Sequence, residues 1–165
     1  MMGRSVGALR LAGCLGVVAA ALGACGAGAA HPEPAAPPGA TPEDPSGYAA
    51  ELVELTNETR YAEGLQPLAA SDCARQAAVA RATDLVGQEE LVHAPLGPVI
   101  QECAPFTTAA ENLVNSTAEP ADVVAAWLDS SGHRANLLDP ALTEIGIGCV
   151  PDGARLLCSQ LFLGP

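Results

Sequence analysis

Three side chains in this sequence have the types needed for chemistry: His93, Glu111 and His133. Two imidazoles and a carboxylate can hold a divalent metal, Zn2+ or a similar cation, or can share acid/base work. The third histidine, His31, stands among Gly, Ala and Pro and reads as a linker residue. Separations of 18 and 22 residues are too long for one helix, so only the tertiary fold can bring the three together. Ser130 precedes His133 by three residues, about one helical turn, which admits a Ser–His dyad. A serine there more often hydrogen-bonds at a helix end. The plain alternatives are a structural hydrogen bond for His133 and a carboxylate satisfied by backbone N–H groups for Glu111.

The elements that must position these groups are partly legible. Gly47–Ala62 is predicted as a helix, with Tyr48, Leu52, Leu55 and Thr59 on one face and Gly64 as its stop. Ser71 is placed to cap a second helix, with Asp72 in its first turn and Ala74, Ala78, Ala82 and Leu85 as its buried stripe. Gly87 ends it. Residues 88–110 show no period and read as a long loop carrying His93. Pro120 is suited to open a third helix, with Val123, Val124, Trp127 and Leu128 inward and a break at 130–132. A short turn over 133–138 follows. Glu144–Val150 and Leu156–Leu163 read as two strands. If Cys149 faces Cys158, then Ile147 faces Gln160 and Ile145 faces Phe162, and all six share one face. Gly146 and Gly148 on the other face would admit a closely packed neighbour.

Four cysteines lie in this part of the chain: Cys73, Cys103, Cys149 and Cys158. An even count in an exported chain implies disulfides, and no Cys-x-x-Cys is present to suggest structural zinc. The cross-strand pair Cys149–Cys158 is the simplest bridge, leaving Cys73–Cys103.

The chain's first 24 residues read as an export signal: Arg4 and Arg10, then an apolar run of 14 residues from Leu11 to Ala24. Leu22-Gly23-Ala24-Cys25 resembles a bacterial lipobox, in which Cys25 would be lipidated and would anchor the protein to a membrane face. Residues 25–45 read as that cysteine and a Pro/Ala/Gly linker, and 46–165 as one domain. Without residues 1–24 the chain has five Arg, no Lys and 19 acids, a formal charge of −14. Such a surface repels phosphate, which argues against nucleic-acid binding.

The ordered set of motifs resembles the CAP superfamily, the cysteine-rich secretory, antigen 5 and pathogenesis-related (SCP-like) proteins, and its bacterial branch above all. The resemblance is carried by Leu55–Arg60, Gly64–Leu68, His93, Glu111-Asn112-Leu113, Trp127–Ser130, Gly132–Asn136, Gly146–Gly148 and Gln160–Phe162. It implies an α+β fold, an α-β-α sandwich with a small, mostly antiparallel sheet between helices. It also implies a shallow cleft lined by His93, Glu111 and His133. The second acid of many members does not carry over: Ser130 stands at that position, and Asp129 points about 100° away on a helix. With the lipobox and no clearly paired Ser or Cys nucleophile, the resemblance favours a surface-anchored binding module, expected to be a monomer, for a metal ion, a lipid, a cell-wall fragment or a protein. The alternatives are a hydrolase using His93, Glu111 and His133 as metal or acid/base groups, and a structural lipoprotein with a vestigial cleft.

Overall fold

The computed structural model describes residues 44–165. The expected signal over 1–24, the lipidation candidate Cys25 and the linker up to residue 43 lie outside them. Helix α1 runs Pro45–Ala62. It opens two residues before the expected start because the Asp44 carboxylate accepts from Gly47 N at 2.9 Å, with Pro45 in the first turn. It stops at Gly64, whose φ of 76° suits glycine. Its buried stripe is Tyr48, Leu52, Thr56 and Arg60, not Tyr48, Leu52, Leu55 and Thr59. Thr56 and Arg60 turn inward because their polar atoms find partners. Thr56 donates to Leu52 O at 2.7 Å and accepts from Gln160 Nε2 at 2.9 Å. Arg60 donates to the carbonyls of Gln66, Leu137, Asp139 and Leu142 at 2.8–3.3 Å.

Strand β1 is the pair Ala69–Ala70, and helix α2 follows over Asp72–Leu85, capped by Ser71 as expected. Residues 88–110 are not all loop. They contain a short helix α3, Gly97–Glu102, and the start of strand β2, Thr108–Ser116. A six-residue helix is too short to show a period. Strand β2 places Glu111 and Asn112 on opposite sides, so polar residues on both faces erase its alternation. Helix α4, Pro120–Asp129, begins at Pro120, breaks at the extended Ser130 and is followed by α5, Ser131–Leu137.

Strands β3, Glu144–Asp152, and β4, Arg155–Gly164, form a hairpin with Cys149 opposite Cys158, Ile147 opposite Gln160 and Ile145 opposite Phe162. The sheet order is β1-β3-β4-β2, with only the β1–β3 pair parallel. Tyr48 and Leu52 of α1, Val123 and Trp127 of α4 and Leu137 of α5 pack on one face, against Ile145, Ile147 and Phe162. Ala74, Ala77 and Ala78 of α2 and Val99 of α3 pack on the other, against Leu161 and Leu163. The result is an α-β-α sandwich. Gly146 and Gly148 let α2 lie directly on β3: a Cβ at Gly146 would stand 2.1 Å from Arg75 N, and one at Gly148 2.3 Å from Val79 N. Disulfides join Cys73 to Cys103 and Cys149 to Cys158.

Candidate functional site

The site forms at the outer strand β2. Glu111 is buried there, its side chain 2% exposed. Four hydrogen bonds surround its carboxylate. Arg81 of α2 grips it with both prongs, Nε to Oε1 at 2.5 Å and Nη2 to Oε2 at 2.8 Å. Ser159 of β4 donates to Oε1 at 2.8 Å, and His93 Nδ1 lies 2.8 Å from Oε2. Arg81 also donates to Ala94 O at 2.8 Å, tying the His93 segment to the helix. Burial pushes the Glu111 carboxyl up. The hydrogen bonds from Arg81, His93 and Ser159 and the Arg81 charge outweigh this and hold it below its ordinary range.

This environment orients His93. With its Nδ1 proton on the carboxylate, the ring has its Nε2 lone pair left for a ligand, and the side chain is half exposed. A hollow of about 340 Å3 opens beside it, lined by His93, Leu96, Ala109, Glu111 and Asn136.

His133 does not join this contact. It lines a second hollow on the same strand, with Leu113, Asp122, Trp127 and Ser130. The two imidazoles still sense one another: burial first, and repulsion from His93 when that ring is protonated second, push the His133 pKa down. No hydrogen bond among the described residues joins Ser130 to His133; Ser130 O instead accepts from Arg134 N at 2.8 Å. Asp129 is exposed and stands apart. Between the hollows Asn136 donates to Glu111 O at 3.1 Å and to Asn112 Oδ1 at 2.9 Å, and Asn112 donates to Gln160 Oε1 at 2.9 Å. Among the described residues no group of three or more His, Cys, Asp or Glu side chains is placed to hold a metal ion. A carboxylate gripped by a guanidinium is a poor ligand, so the residues as arranged do not fit the three-donor zinc set.

Arg81 is the residue that motif reading missed. A signal was present: it lies seven residues after Ala74 on the alanine stripe of α2, where a charge requires a buried partner. Ser159 carried no such signal, because its role depends on strand register.

The pH dependence of stability follows. The depressed Glu111 value contributes stability that is full above its ordinary 4.5 and is lost as pH falls through the lower folded value. His133, also lowered, loses its contribution as pH falls below its ordinary 6.5. Urea midpoints should therefore drop on acidification in two stages, and His133→Asn should flatten the first.

The sandwich with a histidine–glutamate hollow at its outer strand defines a CAP-type domain. The sequence profile of CAP, the cysteine-rich secretory protein family, matches residues 53–162, and the chain belongs to this family. The uncharacterized protein YkwD of Bacillus subtilis (strain 168) is 33% identical over 129 residues, which are 74% of this chain and 49% of that protein. The chain thus spans about half the length of this curated relative. An extracellular SCP-domain protein of Bacillus anthracis str. Ames superposes with a TM-score of 0.64 at 27% identity, over 72% of this chain and 41% of that one. An outer surface protein of Borrelia burgdorferi shares the fold with a TM-score of 0.68 at 22% identity, over 76% of this chain and 98% of that one.

Proposed function

We propose that this chain is an exported CAP-domain binding module whose ligand enters at the β2 edge beside His93. Two disulfides suit an oxidising compartment, and the related Bacillus anthracis protein is described as extracellular. An export signal over 1–24, with Cys25 as a lipid anchor, belongs to the same proposal. The observation that carries binding over hydrolysis is the saturation of Glu111. Both its oxygens are occupied by Arg81, so it is neither a free base nor a free metal ligand. Among the described residues no hydroxyl donates to either imidazole, as nucleophile activation would require. His93 is then an oriented recognition group, held by the carboxylate behind it. No helix among the described residues is long and apolar enough to cross a membrane.

The test is cosedimentation of the purified protein with bacterial cell-wall sacculi and, separately, with zwitterionic lipid vesicles. Binding to one of them that weakens about tenfold in His93→Ala, a loss of about 1.4 kcal/mol, supports the reading. Zinc-dependent peptide hydrolysis lost in both His93→Ala and His133→Ala would replace it with the hydrolase.

A further inference from the structure

Strand β2 is an outer strand of the sheet, yet its free edge does not have the usual alternation of donors and acceptors. Two of its outward carbonyls are capped by side chains. Asn136 Nδ2 donates to Glu111 O at 3.1 Å, and Trp127 Nε1 donates to Leu113 O at 3.3 Å. In a strand the N–H and C=O of one residue point the same way, so the N–H groups of Glu111 and Leu113 also point outward. Ser71 N donates to Ile145 O, and with the strand registers this turns Glu111 and Leu113 away from β4, so the ladder does not use their N–H groups. The middle of the edge therefore presents two donors, the N–H groups of Glu111 and Leu113. Leu113 N–H belongs to the strand that walls the second hollow, about 330 Å3, whose other walls include Trp127, Ser130, His133 and Asp122.

We infer that this second hollow is a subsite for an amide-bearing, peptide-like ligand, whose neutral carbonyl oxygen accepts from Leu113 N–H. Donor-only backbone selects an acceptor, and an N–H without a partner in the sheet gains from meeting one. Asp122, on the same wall, disfavours a carboxylate and so selects the neutral carbonyl. A complete added strand is disfavoured, because its own N–H groups would find the Glu111 and Leu113 carbonyls already occupied. Val114 and Ala126, which also line the hollow, offer apolar surface to the group next to the carbonyl. The inference deepens the binding reading above and rests on it.

The experiment is a 1H–15N NMR titration of the labelled protein with N-acetylalanine N-methylamide and, separately, with acetate. Hydrogen exchange before titration is expected to be faster at Leu113 than at Asn112 and Val114, whose N–H groups point into β4. The blocked amide is expected to move the Leu113 amide proton downfield, saturably, while acetate leaves it in place. A Leu113 amide as slow to exchange as its neighbours, unmoved by the blocked amide, or moved equally by acetate, overturns the subsite. If Leu113 stays unmoved while sacculi or vesicles still bind, the subsite alone falls. A saturable Leu113 shift without binding to either upholds the subsite and sinks the wider reading as tested.

Discussion

Arg81→Ala is expected to destabilise the domain by about 3–5 kcal/mol in urea unfolding at neutral pH, the usual loss when one partner of a buried ion pair is removed. The variant leaves Glu111, 2% exposed, with Ser159 and His93 but without a countercharge. The carboxyl must then take up a proton or draw in water. Arg81→Lys should recover only part of the loss, since an ammonium cannot span both carboxylate oxygens. Pairing Arg81→Met with Glu111→Leu should recover more than either single change, because it removes both charges. That double variant separates stability from recognition: it folds, but His93 has no acceptor behind it. A loss below about 1 kcal/mol for Arg81→Ala, as for an exposed pair, would show that the ion pair does not hold this edge together.

The second large effect is expected at Arg60. This residue is 2% exposed and serves no carboxylate; it satisfies four backbone carbonyls, one at the end of α5 and two in the stretch after it. Burial pulls its pKa down, and Asp139 pushes it partly back. Arg60→Met preserves much of the apolar stem but orphans the carbonyls of Gln66, Leu137, Asp139 and Leu142. At about 1–3 kcal/mol for each buried group left unpaired, and with water reaching some of them, the expected loss is about 4 kcal/mol. Urea unfolding measures it. A loss under about 1 kcal/mol would mean that solvent replaces the guanidinium without penalty.

The two arginines also show what the sequence makes legible and what it does not. The hairpin could be read down to its register, because alternation, two cysteines and two glycines all pointed to one pairing. The helix starts at Ser71 and Pro120 were legible because capping chemistry is local. The inner stripe of α1 was not. Thr56 and Arg60 count as surface residues on any hydrophobic scale, and only distant carbonyls and Gln160 explain why they turn inward. Strand β2 was hidden for the same reason, since Glu111 and Asn112 are polar on both faces. Of the candidate site, His93 and Glu111 are in contact. His133 lies one hollow further along the strand, a displacement that no spacing along the chain reports.

The bare backbone at Gly146 and Gly148 has a consequence at a distance. Helix α2 rests on these two residues of β3 with no side chain between them, and the same helix presents Arg81 to Glu111 on β2, at the opposite side of the sheet. The helix therefore works as a lever whose fulcrum is the pair of glycines. Any side chain added at the fulcrum lifts the helix and carries the guanidinium away from its carboxylate. The packing of the Glu111 edge thus depends on two positions of another strand, and a chain with larger residues there would have to re-seat the whole helix to keep the same histidine in place.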